Sequence, residues 1–345
     1  MSNSRGGYAS IDIAKFVAAL LVIMLHLAPG LGLFCQLFSR LAVPFFLVCA
    51  GYFLFCKMPD GPDGTAILRY LGRVLRLYLV WTALYYIALP ILTPPSGREE
   101  IAFLTRPAEL LWRLVIDGSW SVLWYLLALL WAVLLCWGCL RAGLGAGSTL
   151  GVAGIFYLLG LLGQAYSPLL ASLLGFEMFQ ACIEALGGSR NGLFFAFFYV
   201  ALGLALSRAK PVPLPRALAG LAVSLPLLLA ELLLVGRLAQ TAGMDSLAPD
   251  FYFFTVPVTF FLFSVLLQTG GESRPVHRLL RVMSTLLYCS HILFWKVVGF
   301  FCWLLGVPIS GAALFAAVLV LSLVFSLVVA LAGRKKPLAW LSWLY

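Results

Sequence analysis

Three ionisable residues near the start of the chain could carry out proton chemistry inside an apolar helix. His26 follows Lys15 by eleven residues within a hydrophobic stretch, and Asp12 precedes Lys15 by three. At about 100° per residue, eleven residues end roughly 20° past three helical turns, so the three side chains share one helix face. An imidazole with an ordinary pKa of about 6.5 can take or give a proton near neutral pH. We predict that Asp12, Lys15 and His26 form the catalytic group, with Asp12 holding Lys15 in place.

A second group of candidate residues is basic. Arg69, Arg73 and Arg76 are spaced by four and three residues, which places them along one face of a helix. A guanidinium group can hold phosphate oxygens through two parallel hydrogen bonds. The spacing therefore predicts a site for a phosphate-rich molecule, and contact with lipid headgroups is an equal alternative.

Further ionisable and aromatic side chains lie within other apolar stretches. Titratable groups are costly inside a membrane and usually face a cavity or the interior of a helix bundle, so each is a candidate for binding a substrate. The candidates are Arg40, Trp124, Tyr125, Glu231 and His291. For Trp124 and Tyr125, the alternative is anchoring at the membrane surface. We expect Glu231 to pair with Arg237 or with a cation of another helix.

Membrane-spanning helices must position these residues. The chain is 63% hydrophobic and 10% charged, whereas soluble domains are about 45–50% apolar and about 25% charged. Charge-poor stretches of the length that crosses a hydrocarbon core about 30 Å thick recur along the sequence. They predict an all-α polytopic membrane helical bundle of about ten transmembrane helices, which forms a single domain over residues 1–345. The spans are expected near 11–29, 40–56, 70–90, 119–140, 148–167, 191–208, 217–235, 250–268, 283–303 and 310–332.

The positive charge of the chain is unevenly distributed between the two sides of this bundle. With these spans, 16 of the 23 Lys and Arg residues, from Arg5 to Lys336, fall on one side. Basic residues accumulate on the cytoplasmic side of membrane proteins. We therefore predict that both termini are cytoplasmic. We interpret the net charge of +10 as that of basic residues that orient the protein in the membrane, rather than as a sign of nucleic-acid binding.

Metal binding is not expected. The chain has three histidines, and most of its eight cysteines fall inside predicted spans, where cysteine packs as a small apolar residue. Among the connections predicted to be outside, residues 91–118 show an amphipathic pattern typical of a helix lying in the membrane interface.

Several short stretches follow one another in a set order along the chain. They are Ser10 to Lys15 followed by His26, Arg40 to Phe46, Ala50 to Tyr52, Arg73 to Arg76, Leu123 to Leu126, Arg190 to Phe194, and Ser284 to Tyr288 before His291. Taken in this order, they resemble the acyltransferase-3 family of integral membrane acyltransferases. Each stretch alone is weakly specific, but the ordered set covers nearly the whole chain. The resemblance implies about ten spans. Because we interpret the first span as a retained helix rather than a removed signal peptide, we expect a multi-pass protein of a bacterial inner membrane.

The resemblance also implies a reaction. It points to transfer of an acyl group from cytoplasmic acyl-CoA, such as acetyl-CoA, to a hydroxyl of a carbohydrate or lipid-linked acceptor in the cell envelope. By position His26 matches the family's catalytic histidine, Lys15 stands where many members have arginine, and Arg73 and Arg76 match the pair proposed to serve the acyl donor. Asn191 is added to the candidates for substrate binding because it lies in a matching stretch.

A second resemblance of the sequence points to a different function. The stretch beginning at Ile11, with Val43 to Phe46 and Gly51 to Phe53, is similar to the membrane half of vancomycin-resistance serine racemases. That half is associated with serine uptake, so a transporter of a small amino acid such as serine is the alternative. The lipid bilayer is the expected partner in either case, and the oligomeric state is left open.

Overall fold

The computed structural model describes residues 8–27, 32–59, 61–243 and 249–345, apart from the side chain of Phe34. All regular secondary structure in these ranges is helical, as predicted. The α-helices are α1 (Ala9–Leu27), α2 (Gly32–Ser39), α3 (Ala42–Phe55), α4 (Gly64–Leu92), α5 (Pro107–Trp112), α6 (Trp124–Arg141), α7 (Ala146–Gly163), α8 (Ser167–Leu170), α9 (Phe176–Ala185), α10 (Phe197–Arg208), α11 (Leu214–Thr241), α12 (Thr255–Gln268), α13 (Pro275–Leu305) and α14 (Gly311–Ala332).

The chain forms a polytopic membrane helical bundle. Within the described ranges, eight helices are long and apolar enough to cross a membrane, and Gly192–Arg208 and Thr255–Gln268 are shorter apolar helices. One of these ten helices lies at each of the ten predicted stretches. Residues 28–29 of the first predicted span, and Arg5 of the charge count, lie outside the described residues.

The helices are grouped into two compact units. Unit 1 contains Met1–Ala42, Val74–Leu126 and Thr269–Tyr345, and unit 2 contains Val43–Arg73 and Leu127–Gln268. The division falls inside α4, between Arg73 and Val74.

In unit 1, α1 packs along α13, and α14 packs against both. Asp12 contacts Arg281, and His26 contacts His291. The later residue of α1 therefore contacts the later residue of α13. The two helices are therefore parallel. After α13 the chain turns at Gly306, whose φ of 67° lies in the left-handed region that glycine adopts without strain.

An irregular stretch of unit 1, residues 113–123, differs from its prediction. The structure has a short π-helical turn, Arg113–Asp117, and α6 begins only at Trp124, whereas we expected an interfacial helix followed by a span from 119. Three hydroxyls spaced four residues apart on α4 hold this stretch. Tyr78 donates to the carbonyl of Leu114 (3.0 Å), Thr82 shares a 2.6 Å hydrogen bond with Ser119, and Tyr86 donates to the Ser119 carbonyl (3.1 Å).

We call residues 113–123 the inserted segment, because they lie beside the middle turns of α4. Tyr78 precedes the end of α4 at Leu92 by fourteen residues, which corresponds to about 21 Å of helix. Irregular backbone beside the middle of a membrane-spanning helix is tolerated where protein groups satisfy its polar atoms. Gly118 has φ of 103°, and a Cβ there would lie 2.8 Å from the Cβ of Trp124, so this turn requires glycine.

In unit 2, glycines bring α3 and α10 into close contact. A Cβ on Gly203 would lie 2.6 Å from the backbone nitrogen of Tyr52 and 3.0 Å from the Cα of Gly51. Small residues at such crossings let helix backbones approach and pack in membranes. Beside α10, the hydroxyls of Tyr157, Tyr199 and Thr255 form a buried hydrogen-bonded cluster that links α7, α10 and α12.

Candidate functional site

Two of the three histidines of the chain lie next to each other in unit 1. The ring centroids of His26 and His291 are 5.4 Å apart, with an angle of 35° between the ring planes. His26 comes from the last turn of α1 and is partly buried, whereas His291 lies in the middle of α13 and is completely buried. Both were predicted as site residues, His26 as catalytic and His291 as substrate-binding, but nothing in the sequence indicated that they lie together.

The two nitrogens of His291 have different surroundings. Nδ1 lies 3.1 Å from the carbonyl oxygen of Leu287, one turn earlier in α13, so Nδ1 carries the proton in this contact. Nε2 is then an acceptor, and it is buried without a hydrogen-bond partner among the described residues. An unsatisfied buried polar atom costs about 1–3 kcal/mol. Such a cost at a histidine pair is typical of a site that binds a ligand or moves a proton.

Aromatic residues surround the histidine pair. The ring of Tyr288 lies 6.3 Å from that of His291, and the ring of Tyr125, a predicted substrate-binding residue, meets Tyr288 edge-on at 5.2 Å. Tyr288 donates a 2.8 Å hydrogen bond to the carbonyl of Val122 in the inserted segment. Tyr85 on α4 donates to the carbonyl of Cys289 (2.8 Å) and accepts from the amide of Leu293 (3.2 Å). These contacts hold α13 at the level of His291.

The other two predicted catalytic residues lie near the start of α1. Asp12 is buried, and its carboxylate lies 3.8 Å from the guanidinium of Arg281 on α13. This ion pair joins α1 to the neighbouring helix α13. That Asp12 also holds Lys15 stays a prediction. By helix rise, fourteen residues separate Asp12 from His26 by about 21 Å, so Asp12 acts on the histidine pair only through the position of the helices.

The basic residues predicted to bind phosphate lie on α4 and are exposed. In unit 2, the guanidinium of Arg73 lies 5.7 Å from the ring centroid of Tyr70. In unit 1, that of Arg76 lies 5.7 Å from the ring centroid of Trp343. Contact with a ring uses the face of a guanidinium group and leaves its N–H edges available for phosphate oxygens. Arg69 is exposed one turn before Arg73.

Arg40 and Trp124 are the remaining candidates of unit 1. The Nε of Arg40 donates a 3.0 Å hydrogen bond to the side-chain oxygen of Gln36, one turn earlier, and Trp124 is half-buried at the start of α6. Further along α13, the ammonium of Lys296 pairs with Glu100 at 2.6 Å and lies 5.9 Å from the ring centroid of Trp120. In the nearby helix α5, Arg113 and then Arg106 hold the pKa of Glu109 below its ordinary value.

Two predicted substrate-binding residues of unit 2 have structural partners instead. The side chain of Asn191 accepts from the amides of Leu193 and Phe194, both at 2.9 Å, and donates to the carbonyls of Leu186 and Gly188. This use of every polar atom caps the helix that follows.

The buried carboxylate of Glu231 is used in the same way. It accepts from the hydroxyl of Tyr166 (2.7 Å) and from the amides of Phe253 (2.6 Å) and Phe254 (2.8 Å), which precede α12. Its hydrogen bonds are with these groups rather than with Arg237, which is exposed.

Sequence reasoning missed Tyr288, Tyr85 and Arg281 as neighbours of the candidate residues. For Tyr288 a signal was present, because it lies three residues before His291 and so shares its helix face. The contacts of Tyr85 and Arg281 join helices far apart in the chain and left no such signal.

No cluster of three or more His, Cys, Asp or Glu side chains suited to a metal ion occurs in the ranges that the structure describes.

Comparison with known proteins supports one family. A family model described as an acyltransferase domain matches residues 8–331. A serine/alanine racemase of Enterococcus gallinarum is 26% identical over 272 residues, which are 75% of this chain and 37% of that protein. An amino-acid racemase of Enterococcus faecalis is 28% identical over 204 residues, which are 57% of this chain and 27% of that protein.

The matched regions therefore span well under half of these two relatives, and no solved structure matches the chain. The family match covers nearly the whole chain and includes both histidines of the pair. The chain is a multi-pass membrane protein that belongs to the acyltransferase-3 family.

Proposed function

We propose that the protein transfers an acyl group, such as acetyl, from cytoplasmic acyl-CoA to a hydroxyl group of a carbohydrate or lipid-linked acceptor in a bacterial inner membrane. The observation that carries the proposal is the pair formed by His26 and His291, at 5.4 Å between ring centroids in a bundle of the acyltransferase-3 family. Acyl transfer needs a base near neutral pH and a group that positions it, and two neighbouring imidazoles can supply both.

In the proposed reaction His26 is the general base. It takes the proton of the acceptor hydroxyl while the hydroxyl oxygen attacks the carbonyl carbon of the thioester, and the carbon–sulfur bond then breaks. The proton on His26 is transferred to the departing thiolate, so the products are the acyl ester and free CoA. The reaction needs no redox partner and no metal ion.

His291 serves as a positioning residue in this scheme. Its Nδ1 is fixed on the Leu287 carbonyl, which leaves Nε2 as a buried acceptor beside His26. A hydrogen bond from the His26 ring, or from the acceptor hydroxyl, would satisfy Nε2. Either bond would favour one orientation of the reacting groups, and such orientation accounts for a large part of many catalysed rates.

The arginines of α4 are the proposed contact for the phosphates of acyl-CoA. Arg73 and Arg76 are exposed and keep N–H edges available beside their aromatic neighbours. Phosphate groups prefer such bidentate donors over a single ammonium group.

The proposal is tested with membranes that contain the protein and are supplied with radiolabelled acetyl-CoA. We expect label in the glycan or lipid fraction of the wild-type membranes and a loss of at least about 100-fold for His26→Ala, the lower range for a general base. The matched control is His277→Ala, since His277 is only partly buried and lies in the first turn of α13, where its ring accepts from the amide of Arg274. Wild-type transfer by a well-expressed His26→Ala variant would show that the proposed mechanism is wrong.

The names of the two relatives refer to small amino acids. One is a serine/alanine racemase and the other an amino-acid racemase, and neither name refers to an acyl donor. Because the sequence also resembles the membrane half of serine racemases, which is associated with serine uptake, we propose transport of a small amino acid such as serine as the alternative. Proteoliposomes separate the two functions: serine accumulation that does not depend on acetyl-CoA supports transport, and release of free CoA without serine uptake supports acyl transfer.

A further inference from the structure

The last residues of the chain form a firmly attached segment at the surface of unit 1. They are a 3-10 helix, Lys336–Leu344, which packs against α14. The indole nitrogen of the buried Trp81 donates a 3.0 Å hydrogen bond to the carbonyl of Leu344. The hydroxyl of Tyr345 lies so close to Gly333 that a Cβ there would be 2.7 Å from it. This segment begins beyond residue 331, where the family match ends.

The segment places an indole ring beside one of the proposed phosphate-binding residues. The guanidinium of Arg76 lies 5.7 Å from the ring centroid of Trp343, and 54% of Trp343 is exposed. A large aromatic ring with more than half of its surface free provides a stacking surface for a second flat group. Arg76 can bind an anion while it remains in contact with the indole.

Basic residues lie at the start of the segment that carries Trp343. Arg334, Lys335 and Lys336 lead into the segment and are, like Arg76, exposed. The sequence contains no acidic residue after Glu272. A ligand that joins a flat aromatic ring to several phosphates would match both the ring and the charges, whereas a lipid headgroup would match the charges alone.

We infer that Trp343 and Arg76 together form a binding site for the adenosine phosphate part of acyl-CoA, with the adenine ring stacked on Trp343 and a phosphate on Arg76. This inference rests on the proposed function, because acyl-CoA is the donor only if the protein transfers acyl groups. It adds a residue outside the family match to the donor site. Trp343 is a positioning residue here, since it contacts the adenosine part of acyl-CoA and not the reacting thioester.

The test compares donors with and without the adenosine part. For Trp343→Ala in membranes, we expect the KM for acetyl-CoA to rise about 5- to 100-fold, the range for loss of one base–aromatic stack. The KM for S-acetyl phosphopantetheine, which lacks the adenosine part, should not change. Trp343→Phe should give an intermediate KM. The matched control is Trp340→Ala, because Trp340 lies in the same segment and is 61% exposed.

Each other outcome has a separate meaning. An equal rise in KM for both donors, or a loss that depends only on anionic lipid in the vesicles, would overturn the inference and leave acyl transfer intact. If the wild type transfers no acyl group, binding of radiolabelled CoA to purified protein decides: weaker binding by Trp343→Ala than by Trp340→Ala supports the site, and equal binding overturns it. Absence of CoA binding by the wild type would refute both the site and the proposed donor.

Discussion

The hydroxyl of Tyr288 donates a 2.8 Å hydrogen bond to the carbonyl oxygen of Val122, and both groups are buried. Through this bond, α13 holds the inserted segment one helical turn from His291. The carbonyl of Val122 lies in irregular backbone just before α6 begins at Trp124, so it has no partner in a helix of its own. Loss of the Tyr288 hydroxyl would leave that carbonyl buried and unsatisfied.

We therefore predict that Tyr288→Phe lowers the free energy of unfolding by about 1–3 kcal/mol, the cost of an unsatisfied buried polar group. The phenyl ring can keep the edge-on contact with Tyr125, which the structure shows at 5.2 Å. The measurement is thermal unfolding of the purified protein in detergent, together with the rate of acyl transfer. An unchanged unfolding temperature would show that the hydroxyl does not hold the inserted segment.

Hydrophobicity predicted the bundle but not the inserted segment. The ten apolar stretches correspond to the ten apolar helices because burial in lipid requires a long run of apolar residues, which is visible in the sequence. Residues 113–123 instead depend on hydroxyls of Tyr78, Thr82 and Tyr86 on another helix. Nothing in the local sequence shows that a distant helix will satisfy its backbone.

The candidate site was predictable residue by residue but not as an arrangement. His26 and His291 each stood out because titratable groups are rare in apolar stretches. Their proximity depends on the packing of α1 along α13, which lie more than 250 positions apart in the sequence. Glu231 stood out for the same reason, and Asn191 because it lies in a stretch that resembles the family, yet the structure uses both to satisfy backbone amides. Rarity in the sequence does not separate the two uses.

Glu231 provides a test of that distinction. We predict that Glu231→Ala lowers the unfolding free energy by about 3 kcal/mol, because two amides and the Tyr166 hydroxyl lose their shared acceptor. Glu231→Gln should cost less, because its amide oxygen still accepts. Glu184→Gln, at an exposed position of α9, is the control and should stay within about 0.5 kcal/mol. If Glu231→Gln instead changes KM without a change in unfolding temperature, Glu231 binds the substrate.

The close contact between α3 and α10 leads to a prediction about glycines. We expect Gly51→Ala and Gly203→Ala each to destabilise the protein by about 1–3 kcal/mol, because each new methyl group would overlap the backbone of the facing helix. Gly72→Ala is the matched control, since Gly72 lies inside α4 with open space around it. That change should stabilise the protein by about 0.5–1 kcal/mol. Thermal unfolding measures all three, and equal effects would refute the close contact.

His291→Phe should separate stability from activity. The histidine is completely buried, and its Nε2 has no partner among the described residues, so a phenyl ring of similar shape removes the cost of an unsatisfied atom. We predict an unfolding free energy equal to or up to about 2 kcal/mol above that of the wild type.

The same variant should lower the rate of acyl transfer by about 10-fold or more, because His26 loses the group that positions it. His26→Ala and the double variant His26→Ala/His291→Phe should then have nearly equal rates, since residues that act as a unit are not additive. Unfolding temperatures and initial rates of the three variants provide the measurement. Wild-type activity in His291→Phe would mean that His26 works without His291, and additive losses in the double variant would mean that the two histidines act separately.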